Sequence, residues 1–295
     1  MWFKNLYLFK FDQPFTLNAQ QLNDALLSNM IMDCPASQRE SVGWTSPFGK
    51  DSELMVLANQ ASFLIRMARQ ERILPSSVIN DHLIDRVEKI ESRENRKIGT
   101  RERRDLREEL EFELLPKAFT KRSQLDAWID SRNSWLIINT GSAPRAESFA
   151  KLLRNTLGSL SIILPETDVS PMATMTRWMS KTRPPRPFEF GYECCFKTPD
   201  EQGTVSFKRH ELSGSELTTN LEAGKFVSQL ELIWDDKIRF ILTENLIIKR
   251  LRFLDMMADN LDKQGFESAQ EKIDAEFALM VGEVTKLLNQ LMQEL

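Results

Sequence analysis

Asp235-Asp236-Lys237 spells part of a catalytic signature in this 295-residue chain. Metal-dependent nucleases set a D/E-x-K triplet beside separated acids. The carboxylates hold Mg²⁺ and the lysine stabilises developing charge. Asp200 is the available extra acid upstream. The triplet falls where a hairpin turn is expected, and three-residue matches arise often by chance, so a charged turn is the preferred reading. His210 as a general base and Cys194 as a nucleophile lack a visible partner. Two histidines, His82 and His210, and three cysteines, Cys34, Cys194 and Cys195, build no zinc spacing. The 11 glycines form no GxGxxG or GxxxxGK[ST] loop, and neither GxSxG nor HExxH occurs. The chain reads as a non-enzyme without metal or cofactor.

Cations are the second chemistry. The formal net charge is −4, which by itself gives no hint of nucleic acid, but the charge is uneven. Residues 86–122 carry twelve Lys/Arg against nine Asp/Glu, and residues 177–209 carry seven against four. Residues 250–295 carry five against nine. Within the first segment, Lys117, Lys121 and Arg122 surround Phe119 with no acid between, after Pro116. An aromatic at the tip of a projection could anchor a partner, with cations beside it for phosphate; local packing under the projection is the plain alternative. In the second segment, Lys208 and His210 alternate with Val205 and Phe207 along an expected strand 204–210, and Arg209 ends it. Lys237 and Arg239 alternate with Ile238 and Phe240. A sheet face bearing Lys208, His210, Lys237 and Arg239 would suit phosphate contact without base readout, although ordinary polar-out alternation gives the same pattern.

These groups need elements to hold them. Trp2 to Phe11 reads as a strand, 17–30 as a helix and 54–67 as one or two strands. Ile79, Leu83, Val87 and Ile90 share one helical face. After Gly99-Thr100, Leu106, Leu110 and Leu114 mark a second helix stopped by Pro116, which gives a projecting helical hairpin. Strands follow near 128–138 and 160–164, with a helix between at 145–157. Residues 165–203, rich in Pro and Gly, read as a connection. A strand at 204–210, a short helix at 216–223 closed by Gly224, and a hairpin of 226–234 with 238–242 complete the middle. Ile273, Phe277, Met280, Val284, Leu287 and Leu291 recur at coiled-coil spacing. That stripe either packs on its own domain or pairs with its copy in a dimer. The irregular order of strands and helices argues for an α+β fold with antiparallel sheets. Three free cysteines suit a reducing cytosol, and no uncharged apolar stretch of ~18 residues suggests a membrane span.

Six stretches, in order, resemble the bacterial recombination-associated RdgC family. They are Trp2-Phe3-Lys4-Asn5-Leu6, Gly43-Trp44 with Pro47, Ile73-Leu74-Pro75-Ser76-Ser77-Val78-Ile79, Leu114-Leu115-Pro116-Lys117-Ala118-Phe119, Leu157-Gly158-Ser159-Leu160 and Glu222-Ala223-Gly224-Lys225. The resemblance runs over essentially the whole chain, with 183–203 the poorest match. It implies an elongated horseshoe-like subunit that pairs into a ring-shaped homodimer with a basic hole. Such a protein binds double- and single-stranded DNA without sequence preference, is cytoplasmic and nucleoid-associated, and limits RecA in recombination and replication-fork repair. Phe119 matches the family's ring-closing tip. Lys208, Arg209 and His210 match its basic cluster, usually Lys-Lys-Gln, and Lys225 matches the lysine of the Glu-Ala-Gly-Lys motif.

The expected organisation is a central α+β region (1–75 with 125–165), a helical tip region (76–124) and a base region (166–295) ending in a dimerisation helix. The expected DNA contacts are Lys117, Lys121, Arg122, Lys208, Arg209, His210, Lys225, Lys237 and Arg239. The expected dimer contacts are Phe119, Ile273, Phe277, Met280, Val284 and Leu287. A protein-binding scaffold without DNA contact is the main alternative, and a metal-dependent nuclease a distant one.

Overall fold

The computed structural model describes residues 2–49, 52–254, 266 and 268–295. Four of the acids counted in the C-terminal stretch (Asp255, Asp259, Asp262, Glu267), with Lys263, lie outside the described residues. The fold is α+β, built on two antiparallel sheets.

The first sheet contains β1 (Tyr7–Phe11), β2 (Glu40–Thr45), β3 (Val56–Asn59), β4 (Ser62–Ile73), β5 (Phe119–Asp130), β6 (Trp135–Ile138) and β7 (Ile162–Ile163). Its order is β2-β4-β5-β6-β1-β7, with β3 also on β4. Two helices, α1 (Ala19–Leu27) and α4 (Ala143–Leu157), cover one face through Leu22, Leu26, Phe149 and Leu153. β4 and β5 pair without slip from Ser62↔Asp130 to Ile73↔Phe119. At ~3.3 Å per residue this twelve-residue ribbon is about 40 Å long. Its outer end carries the helical hairpin, α2 (Ser76–Glu94) and α3 (Thr100–Leu114). A small cluster of Ile79, Leu83 and Leu110 holds the two helices together, as the apolar spacing predicts.

The second sheet has the order β12-β11-β10-β8-β9. Its strands are β8 (Phe188–Lys197), β9 (Thr204–Phe207), β10 (Phe226–Trp234), β11 (Ile238–Thr243) and β12 (Ile248–Phe253). α5 (Pro171–Ser180) precedes β8, and α6 (Ser215–Glu222) lies between β9 and β10. Leu6 and Ile248 exchange backbone bonds of 2.8 and 3.1 Å, so the two sheets meet along β12.

The expected connection at 165–203 is therefore corrected: it contains a helix and an inner strand. Ser170 caps α5 by accepting from the Ala173 N–H, and Pro171 sits in the first turn, where it lacks nothing a helix needs. Met175, Trp178, Phe188, Cys194 and Phe196 then bury the segment. The prolines punctuate the segment without making it a linker. Periodicity passes over β12, and also β2, which falls within residues 33–52, where Pro35, Gly43, Pro47 and Gly49 suggest a loop.

The last helix, α7 (Ala269–Glu294), lies between the two sheets. Phe277, Met280, Val284, Leu287 and Leu291 are buried in a cluster shared with Leu64 and Trp128 of the first sheet and Leu230 and Phe240 of the second. Phe277 meets Trp128 edge-on at 6.3 Å, and Ile273 packs partly buried against the same cluster. The dimer contacts expected from this stripe are corrected accordingly. The coiled-coil spacing marks a helix that spends Phe277, Met280, Val284 and Leu287 inside its own chain and leaves only Ile273 partly exposed.

Candidate nucleic-acid interface

One face of the second sheet packs on α5 and α7 through Val227, Leu230, Leu232, Trp234, Ile238, Phe240 and Leu242. The opposite face carries the alternate residues, among them the exposed Tyr192 and Arg252. Lys208 lines a shallow cavity of about 220 Å³ on it with Glu193, Cys195, Ser206, Gln229 and Arg250. Arg239 lies directly across from Arg252 of β12. The Arg239 guanidinium stands 6.0 Å from the centre of the Tyr192 ring, which is 51% exposed.

Charge on this face is only partly compensated. Arg250 pairs with Glu193 at 2.9 Å. Among the described residues no carboxylate forms an ion pair with Lys208, Arg209, Arg239 or Arg252. The Arg239 Nε is buried and has no hydrogen-bond acceptor. Two opposed arginines without an acid between them repel. A bridging anion would relieve that repulsion and satisfy the open donors.

The expected basic face is redrawn in two respects, at His210 and at Lys237. β9 ends at Phe207, and Arg209 takes a left-handed backbone (φ 53°), so strand alternation does not continue to His210. The His210 ring instead turns towards Phe207, 5.6 Å away. Its Nε2 lies 3.0 Å from the Glu216 carboxylate of α6. Lys237 also leaves the face, because Asp235 and Asp236 turn the chain with left-handed backbones (φ 49° and 53°). Lys237 pairs with Asp235 and sits 5.7 Å from the Trp234 ring on the helix side. Asp235 chiefly, and Glu283 of α7 in addition, push the Lys237 ammonium pKa up. Lys225 follows Gly224, which closes α6 with φ 75°. It donates to Asn220 at 2.6 Å, at the far end of β10 from Arg239.

The other expected cations lie on the β4–β5 ribbon. Phe119 is 85% exposed and pairs with Ile73 at the outer end of the ribbon. It stands at the root of the helical hairpin and not at its tip, which is the turn at 95–99. Lys117 lies 3.6 Å from Glu113, and Arg122 lies 3.6 Å from Asp33. Lys121 faces Glu71 across the strands. Arg72 fastens this root: its guanidinium donates to the carbonyls of Cys34, Pro35, Leu115, Pro116 and Ala118 at 3.0–3.4 Å.

Three contributors to the open face were missed in the sequence: Tyr192, Arg250 and Arg252. The alternation of Ile248, Leu251 and Phe253 with cations was available as a strand signal.

The nuclease constellation is not assembled. Asp235 donates its backbone N–H to Pro187 at the start of β8. Asp200 lies beyond the other end of that ten-residue strand, about 30 Å away at ~3.3 Å per residue. Asp200 is held in its own turn by Thr198 and the Gln202 N–H, which lower its pKa. The described residues contain no group of three His, Cys, Asp or Glu able to hold a metal ion. Cys194 is buried and its pKa pushed up to about 12, chiefly by desolvation, the wrong direction for a nucleophile. No described helix is long and apolar enough to cross a membrane.

Comparison with known proteins supplies the family. The RdgC family model, described as "Putative exonuclease, RdgC", matches residues 1–295. A recombination-associated protein RdgC from Dechloromonas aromatica is 36% identical over 300 residues, covering 100% of this chain and 97% of that protein. One from Pseudomonas entomophila is 36% identical over 297 residues, with 100% and 97% covered. One from Pseudomonas aeruginosa PAO1 is 37% identical over 283 residues, with 95% and 92% covered. Matched along its whole length, the chain belongs to the RdgC family of recombination-associated proteins.

Proposed function

We propose that this protein binds DNA without reading sequence, acts as a ring-shaped homodimer, and modulates recombination and fork repair by limiting RecA. The observation that carries the DNA reading is the open face of the second sheet. There, among the described residues, no carboxylate pairs with Lys208, Arg239 or Arg252, and Arg239 stands beside the exposed Tyr192. Fixed cations on an exposed part of the sheet attract phosphate by releasing its counter-ions, and such contacts are blind to base identity. Family membership, and the recombination association in its relatives' names, supports the cellular role. Ring closure would use Phe119, whose exposed ring and partner Ile73 form an apolar patch at the end of a long ribbon. In this reading the protein performs no chemistry on DNA and works in the cytoplasm at the nucleoid.

The test is a gel-shift salt series on linear and closed-circular duplexes, read with the oligomer mass. Affinity should fall steeply with salt and change little with sequence. Affinity that is flat in salt would refute the DNA reading, and a monomeric mass in the complex would refute the ring. Mg²⁺-dependent cleavage of supercoiled DNA would favour the nuclease reading suggested by the family's description.

A further inference from the structure

Tyr192 is placed on the open face by a built irregularity. β8 and β10 pair in register at Cys194↔Leu230 and again at Phe190↔Leu232. Between these points three residues of β8, Gly191 to Glu193, oppose the single residue Glu231. Such a bulge bends the strand and re-aims a side chain. Two bonds hold it: the Tyr192 N–H donates to the Glu231 carboxylate at 2.7 Å, and the Tyr192 carbonyl accepts from the His210 N–H at 3.1 Å. The Glu231 side chain lies over Gly191, in space that any Cβ there would occupy. The result is a large ring turned outwards, beside a guanidinium with open donors and a second arginine across the strand.

We infer that Tyr192 is a stacking platform for an unpaired nucleobase, with Arg239 and Arg252 taking the flanking phosphates. The inference rests on the DNA-binding reading and deepens it: this face selects single-stranded over duplex DNA. A nucleobase offers a flat π-face next to a phosphate, matching a ring next to two arginines. In a duplex the base faces are already stacked on one another, whereas single strands expose them. Two acids of the same face are already engaged. Glu193 is paired with Arg250, and Glu231 is engaged by the bulge. Glu189 stands across β10 from Arg239, opposite Ile233.

The experiment compares the full-length protein with Tyr192→Ala, Tyr192→Phe and Arg252→Ala. The probes are a thymidine homopolymer, a duplex of equal length and polyglutamate. Tyr192→Ala should weaken the homopolymer about tenfold, the order expected for one lost base stack. The duplex should be unaffected and the salt slope unchanged. Tyr192→Phe should restore binding, because the π-face is kept. Arg252→Ala should lower the salt slope on the homopolymer. Equal loss on both DNAs, or no loss on either, overturns the inference while leaving DNA binding intact. Polyglutamate competing as well as the homopolymer would make the face a general polyanion site and also overturn it. Failure of the unsubstituted protein to bind any DNA would sink the underlying reading as well.

Discussion

Replacing Phe277 by alanine separates two roles for the C-terminal helix. Phe277 has no solvent exposure and packs edge-on against Trp128 at 6.3 Å, between the two sheets. A buried Phe→Ala change costs about 3–5 kcal/mol, from lost transfer energy and the cavity left behind. The aromatic pair contributes roughly 0.5–1.5 kcal/mol beyond its area, which favours the upper part of that range. For a chain of this size, each kcal/mol lowers Tm by roughly 2–4 °C, so the midpoint should fall by on the order of 10 °C or more. The assay is thermal and urea unfolding followed by circular dichroism, with mass measured across a protein concentration series. If the helix is core, Phe277→Ala lowers the midpoint at every concentration. If it is a dimerisation seam, the variant keeps its low-concentration midpoint and loses mass instead. An unchanged midpoint with halved mass would refute the burial of α7 between the two sheets.

Four further expectations follow from the same geometry. Arg72→Ala should loosen the root of the helical hairpin, at a cost of about 1–3 kcal/mol for the lost charged hydrogen bonds. Faster amide exchange at residues 115–118 would report it, and unchanged exchange would contradict the stapling role. Among the cysteines, Cys195 should react with a disulfide reagent at pH 8 while buried Cys194, whose pKa is raised from 9.0 to about 12, stays inert. An acid whose folded pKa lies above its unfolded value ionises first in the unfolded chain. Cys194 therefore costs no stability below about pH 9 and lowers it as pH rises towards 12. Cys194→Ala should flatten that alkaline loss in urea titrations, and an unchanged profile would assign it to other groups. On DNA, Lys208→Ala and Arg252→Ala should each reduce the salt slope by about one. Lys237→Ala and His210→Ala should leave it unchanged, because those side chains are engaged by Asp235 and Glu216.

The α+β class, the helical hairpin, the β10–β11 hairpin and the C-terminal amphipath are all legible in the order of the amino acids. Each rests on local physics: periodicity selects helix or strand, and Pro116, Gly224 and the Asp235-Asp236 pair set the breaks. Six ordered motifs carried the family. Long-range packing chooses which surface each periodic element spends, and on what. The stripe of Phe277 to Leu291 has the same spacing whether it meets a copy of itself or two sheets of its own chain. Only long-range packing against Trp128 and Phe240 chooses. Strand alternation similarly promised one basic face from Lys208 to Arg239. The left-handed turns at Arg209 and at Asp235-Asp236 moved His210 and Lys237 off that face, while a bulge opposite Glu231 moved Tyr192 onto it. Register shifts and turn handedness arise from pairing between segments far apart in the chain, and a linear reading of the residues does not contain them.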